Sequence, residues 1–121
     1  MRSSRAEIRI EEILTMNDIK FKEEYEFKDL NSSNGKPLRR RFDFAVFDDD
    51  GNLDFLIEYQ GRQHYEPVSK FGGRRGLYQQ QFNDNKKRRY CLLKNIKLIE
   101  IPYWEENAIT YDYIMNKAYG W

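Results

Sequence analysis

Apolar positions along this chain repeat with two periods, and the changes between them mark out the elements. Ala6, Ile10, Ile13 and Leu14 recur at helical spacing. Ser4 with Glu7 three residues later forms a capping box, so the spacing predicts an N-terminal helix that Asn17 and Asp18 end. Glu23 to Phe27 alternates as a half-buried strand does. Asn31 to Pro37 is the clearest loop.

Arg39 to Phe47 and Leu53 to Gln60 read as two strands of a hairpin, joined by Asp48 to Asn52. Asp50-Gly51 predicts a two-residue type I′ turn. That turn puts Phe42, Phe44 and Val46 with Leu53, Phe55, Ile57 and Tyr59 on one apolar face. The other face carries Arg41, Asp43, Ala45 and Phe47 with Asp54, Leu56, Glu58 and Gln60, and Asp43 stands directly across from Glu58. A four-residue loop gives the same register, whereas a three- or five-residue loop shifts it by one and breaks the pairing.

Gly61 to Gly76 reads as loop. Leu77 to Asn95 is a long helix with Phe82, Tyr90 and Leu93 expected on its inner side, and Ile96 to Ile101 is a strand stopped by Pro102. Strand, helix, strand over this length implies a parallel crossover. A last helix spans Asn107 to Ala118. The expected order is α-β-β-β-α-β-α, a mixed α/β fold in one domain covering residues 1–121.

Composition narrows the class. Charged residues make up 34% of the chain and mean hydropathy is −0.92, but 16% is aromatic, far more than a disordered segment carries. No apolar run reaches the roughly 18 residues of a membrane span. The first dozen residues have no apolar h-region, so no secretory signal is expected, and a reducing cytoplasmic setting is the default. One cysteine, Cys91, excludes a disulfide framework and a cysteine-cluster zinc site, and it is expected to pack on the long helix without a chemical role. One histidine excludes a multi-histidine metal site. A hard-cation site must then be built from oxygen donors, which suits Mg²⁺, Mn²⁺ or Ca²⁺. The net charge of +1 hides an asymmetry: the stretch from Gln60 to Lys97 carries +8 and the remainder −7. That favours a polyanion as partner.

Opposed carboxylates on neighbouring strands sit roughly 5 Å apart at Cβ and repel. Asp43 and Glu58 are therefore tolerated if solvated, if neutralised by Arg41 or a helix lysine, or if a divalent cation sits between them. Gln60 projects from the same face and can orient a water or contact a phosphate oxygen. Glu7 lies at the edge of the buried stripe of the first helix, where it serves as a cap and can also reach the sheet. His64 is the one side chain here whose ordinary pKa, roughly 6.5, suits proton transfer near neutrality. Asp84 and Lys87, three apart, first suggest an ordinary helical ion pair. If that helix covers the carboxylate face, Lys87 can instead steady a phosphate. Arg74 and Arg75 in a glycine-rich loop suit a phosphate backbone, with Arg62, Lys70, Lys86 and Lys87 completing the expected DNA-binding set.

Glu7 on the first helix, Asp43 in RFDF, and Glu58 with Gln60 in LIEYQG together resemble the PD-(D/E)XK nuclease superfamily. GRQHYEP, FGG, QQQFNDNKK and KLIEIPYW further resemble small phage and mobile-element endonucleases related to very-short-patch-repair enzymes and EDxHD homing endonucleases. The resemblance spans nearly the whole chain. It implies a restriction-endonuclease-like αβββαβ core and Mg²⁺-dependent hydrolysis of DNA phosphodiesters, with Mn²⁺ as a possible substitute. Asp43 and Glu58 would hold the metal, Glu7 would support it or a water, and His64 would match the catalytic histidine. The superfamily's usual lysine, two residues after the second acid, is Gln60 here. Either proton transfer falls to His64 or Lys87, or the site is weakened. Double-stranded DNA is the implied partner, with a homodimer or a separate targeting subunit supplying specificity, in a host cytoplasm if the gene is phage-borne. Two other readings stay open: a DNA-binding module with a degenerate site, and a protein-interaction domain.

Overall fold

The computed structural model describes residues 4–31 and 40–121. Its order is helix α1 (Arg5–Met16), strand β1 (Lys20–Tyr25), a single turn α2 (Lys28–Asn31), strands β2 (Phe42–Phe47) and β3 (Leu53–Gln60), helix α3 (Gly73–Lys94), strand β4 (Lys97–Pro102) and helix α4 (Tyr111–Tyr119). Short 3₁₀ turns follow β3 and β4. The four strands form one mixed sheet in the order β1-β2-β3-β4, antiparallel except for the parallel pairing of β3 with β4 across α3. The mixed α/β class expected from the sequence is what forms. Of the stretch Asn31 to Pro37 read above as loop, Asn31 closes the α2 turn and residues 32–37 lie outside the described residues.

α1 starts where the capping box puts it. Glu7 N–H donates to Ser4 Oγ at 3.2 Å and Ser4 N–H donates to Glu7 Oε1 at 2.8 Å. Ala6, Ile10 and Leu14 bury fully against the sheet. They join Phe44, Val46, Phe55, Ile57, Ile99, Ile101, Ile109 and Ile114 in the larger core, between the sheet and α1 with α4. Truncating a side chain such as Leu14 to alanine there costs about 2–5 kcal/mol.

The hairpin reaches its register by a different route from the expected one. The loop has three residues, Asp49 to Gly51: Asp48 N–H donates to Asn52 C=O at 2.8 Å, and Gly51 N–H to Asp48 C=O at 3.0 Å. Gly51 takes φ +85, the left-handed position that closes a three-residue hairpin. Asp48 Oδ1 accepts from the N–H groups of Asp50 and Asn52 and holds the loop. This turn alone would shift the register by one. A bulge takes the shift back: Phe47 pairs with Leu53 but Val46 with Phe55, leaving Asp54 as the extra residue. Ala45 then faces Leu56 and Phe44 faces Ile57, as the two-residue turn required.

Two residues change face. Leu53 packs with Phe47 in the smaller core beside α3, not with Phe55. Phe42 also joins that core, with Ala45, Leu56 and Cys91, apart from the bulge. Opposite Asp43, Glu24 of β1 has a left-handed backbone, φ +51.

α3 begins at Gly73, four residues before the expected start, so Arg74 and Arg75 ride on its first turn and not in a loop. Its inner side is also different. Phe82 and Leu93 are 52% and 80% exposed, while Asp84 and Cys91 are buried. The residues turned toward the sheet include Gln80, Asp84, Lys87 and Arg88. An apolar-stripe rule misreads such a helix, because what it covers is a row of carboxylates.

Candidate active site

The sheet opens where β2 and β3 carry Asp43 and Glu58, and each carboxylate takes the place of a ladder carbonyl. Asp43 N–H donates to Glu58 Oε2 at 3.2 Å, and Tyr59 N–H donates to Asp43 Oδ2 at 2.7 Å. The two acids are thus cross-clamped between the strands. Glu58 is only 5% exposed. Burial pushes the Asp43 carboxyl well above the usual carboxylate range, and the charges of Glu58 and Glu7 push it further. Burial raises Glu58 too, partly opposed by the Lys87 ammonium 3.1 Å from its Oε2.

Consecutive charges on α3 meet consecutive partners below. Lys87 Nζ donates to Glu58, and Arg88 Nε donates to both oxygens of Glu100 at 2.9 Å. Asp84 Oδ2 lies 2.8 Å from His64 Nδ1, both side chains buried, and Gln80 Nε2 donates to Asp84 Oδ1 at 3.2 Å. The expected ion pair between Asp84 and Lys87 does not form. Each is drawn to a partner across the interface. A carboxylate only accepts, so Nδ1 carries the proton of that bond and Nε2 is the nitrogen left for other work. No described group hydrogen-bonds Nε2.

Glu7, Asp43, Glu58, His64 and Lys87 line one cavity of about 420 Å³. Glu7 therefore caps its helix and faces the site at once. Gln60 does not line this cavity. It is buried beside it, its amide donating to Glu100 Oε2 at 2.7 Å and its carbonyl oxygen accepting from the Tyr65 hydroxyl. The parallel register, Glu58 with Glu100 and Gln60 with Pro102, carries Gln60 to the side of β4.

Among the described residues, no three His, Cys, Asp or Glu side chains are arranged round one point as a metal's ligands. Asp43 Oδ1 and Glu58 Oε1 have no N–H donor among the described residues. Two hard oxygens on a cavity wall suit a Mg²⁺ ion, which ordinarily takes one or two carboxylates and fills its shell with water and phosphate oxygens. The charge repulsion on Asp43 is the observation that such a cation would relieve.

The expected DNA-binding residues divide. Lys87 belongs to the cavity, and Arg62 is exposed but paired with Glu66 at 3.1 Å. Lys70, Arg74, Arg75 and Lys86 are exposed without a carboxylate partner among the described residues. Cys91 is buried as expected, and burial pushes its thiol up to about 11, which keeps it unreactive. Asp84 is the residue that sequence reasoning undervalued. Its signal was a polar stripe at helical spacing, Gln80, Asp84, Lys87, Arg88 and Cys91.

Two curated relatives resemble parts of this chain. Uncharacterized protein 094L of Frog virus 3 (isolate Goorha) is 56% identical over 54 residues, which is 43% of this chain and 35% of that protein. Uncharacterized protein 307L of Invertebrate iridescent virus 6 is 38% identical over 70 residues, 57% of this chain and 36% of that protein. The chain thus spans about a third of the length of these relatives. No family model and no solved structure matches it. No helix among the described residues is long and apolar enough to cross a membrane.

Proposed function

We propose that the protein is a metal-dependent DNA endonuclease of the PD-(D/E)XK kind. The observation that carries this reading is the cross-clamped pair of half-buried Asp43 and buried Glu58, which shares one cavity with Lys87 and with a carboxylate-held histidine. Asp43 and Glu58, with Glu7 behind them, would hold Mg²⁺ or Mn²⁺. When bound, the ion supplies charge that polarises a phosphate and acidifies a water. His64, its tautomer set by Asp84, accepts the proton of the attacking water at Nε2. Lys87 steadies charge building on the phosphate oxygens. With Gln60 sequestered, Lys87 on α3 is the amine nearest the second acid, in place of the superfamily's lysine two residues after it. The exposed Arg62, Lys70, Arg74, Arg75 and Lys86 would hold the backbone of double-stranded DNA. Targeting would come from a second copy or a separate subunit, and the setting would be a host cytoplasm.

The same geometry gives a specific argument for the second reading, a DNA-binding module with a degenerate site. Among the described residues no three carboxylates surround one point as a metal's ligands, and the position of the usual lysine is turned away. Supercoiled-plasmid cleavage with Mg²⁺, Mn²⁺ or EDTA separates the two. Metal-dependent nicking, lost in Asp43→Ala and Glu58→Ala variants that still bind DNA, supports the nuclease. Salt-sensitive binding with no cleavage of plain, branched or mismatched duplex supports the degenerate module.

A further inference from the structure

A second cavity of about 540 Å³ adjoins the first and shares Glu7, Asp43 and Lys87 with it. Arg40 and Asn83 line it and belong to no function assigned above. Arg40 is 7% exposed. Its backbone is pinned on both sides by one side chain: Arg40 N–H donates to Asn31 Oδ1 at 2.9 Å, and Asn31 Nδ2 donates to Arg40 C=O at 3.1 Å. Among the described residues its guanidinium makes one hydrogen bond, from Nε to Asn83 Oδ1 at 3.1 Å. That bond leaves the Asn83 Nδ2 donors free among the described residues.

No carboxylate among the described residues pairs with Arg40. The three acids that share its cavity are engaged elsewhere: Glu24 with Arg41, Asp43 with Tyr59 N–H, and Glu7 with Ser4 N–H. The residues outside the described part, 1–3 and 32–39, contain no Asp or Glu. A buried cation without a counter-charge is costly, and arginine cannot escape by losing its proton. Among the described residues no buried side-chain nitrogen lacks a partner, so the unbonded Nη groups keep some exposure, and Arg40 lines this cavity. A guanidinium fork beside a free carboxamide is the donor arrangement that recognises phosphate oxygens.

We propose that Arg40 and Asn83 form a phosphate-binding site, beside the carboxylates and distinct from them, that takes a backbone phosphate of a DNA strand neighbouring the one presented at Asp43 and Glu58. The strand as ligand rests on the nuclease reading, whereas the phosphate chemistry of the site does not.

Two arms test it, both in EDTA so that nothing is cut. In the first, thermal unfolding of wild type and Arg40→Gln is followed in inorganic phosphate and in chloride at matched ionic strength. Phosphate should raise the wild-type midpoint and leave that of Arg40→Gln unmoved, and in chloride the variant should melt no lower than wild type. In the second arm, Arg40→Gln should bind short duplex DNA on the order of tenfold more weakly, with a salt slope shallower by about one, while Arg40→Lys lies between. An equal phosphate response in both proteins overturns the site. A variant that melts lower in chloride yet binds DNA as wild type does shows a merely structural arginine and also overturns it. A phosphate response that needs Arg40, with DNA affinity unchanged, overturns the strand and leaves free phosphate as the ligand. The nuclease reading fails separately: Arg40-dependent DNA binding in a protein that cuts no DNA in Mg²⁺ removes that reading and keeps the phosphate site.

Discussion

Replacing Asp43 by asparagine should make the protein more stable while abolishing the proposed DNA cleavage. The carboxamide is isosteric, and its oxygen can still accept from Tyr59 N–H, the bond now made at 2.7 Å. What disappears is one charge facing Glu58 and Glu7. Two carboxylates roughly 5 Å apart repel by about 3 kcal/mol at an effective dielectric near 20. Lys87 already offsets part of this on the Glu58 side, so the net gain is about 1–2 kcal/mol. For a chain of this size that raises the melting midpoint by roughly 4–10 °C.

The pH dependence fixes the sign. The folded-state pKa of Asp43 lies well above its ordinary value of 3.8, so the native state keeps a proton that the unfolded chain has lost. Native stability therefore falls as pH rises from the ordinary carboxylate range through the raised value, and the cost is fully present above it. The variant lacks this group. Its advantage should be largest near pH 7.5 and should close toward pH 4. Calorimetry or circular-dichroism melts in metal-free buffer read this directly, and adding Mg²⁺ should raise the wild-type midpoint but not the variant's. An Asp43→Asn protein less stable than wild type at pH 7.5, or an advantage that grows toward acid, would refute the reasoning.

If the proposed reading holds, Asp84→Asn and His64→Gln should each lower the cleavage rate in a plasmid assay by roughly 10²–10⁴-fold, with the melting midpoint near wild type in Asp84→Asn. Gln60→Ala should cost about 1–3 kcal/mol, since Glu100 and Tyr65 lose their partner, yet the rate per folded molecule in a plasmid assay should hold. Gly76→Ala should destabilise by at least about 2 kcal/mol in denaturant melts, because the added Cβ would stand 1.8 Å from the Phe71 carbonyl oxygen at the start of α3.

What the sequence revealed follows where local chemistry decides. α1 was legible because Ser4 and Glu7 satisfy its open N–H groups and Ala6, Ile10 and Leu14 fall on one stripe. The Asp43–Glu58 juxtaposition was legible because side-chain period 2 and the hairpin register leave few choices. Yet the register came right through two departures that compensate, a three-residue loop and a bulge at Asp54. Asp50-Gly51 supplies the left-handed glycine that both turn types want, so the dipeptide could not choose between them. The inner side of α3 was misread for the opposite reason. Phe82 and Leu93 look like core, but the partner of that face is set by the carboxylates and histidine of distant segments, which a local pattern does not contain. Gln60 shared a face with Glu58 as expected, and only the parallel pairing with β4 showed that Glu100 claims its amide.

The two faces of the sheet carry different work, and this explains why the protein can keep so unfavourable a cluster. On the side of α1 and α4 the contacts are almost wholly apolar, from Ala6 through Phe44 and Ile57 to Met115. On the α3 side a short apolar patch at Phe42, Ala45, Leu56 and Cys91 gives way to two ion pairs, Lys87 on Glu58 and Arg88 on Glu100, and to the hydrogen bond between His64 and Asp84. Those pairs are satisfied but add little net stability, because desolvating each charge offsets most of the attraction. Asp43 and Arg40, one anionic and one cationic, form no ion pair among the described residues, and both line the cavity of about 540 Å³. A cation for the first and a phosphate oxygen for the second would complete both at once. On the proposed reading, that residual imbalance is the feature of the fold most directly tied to its ligands.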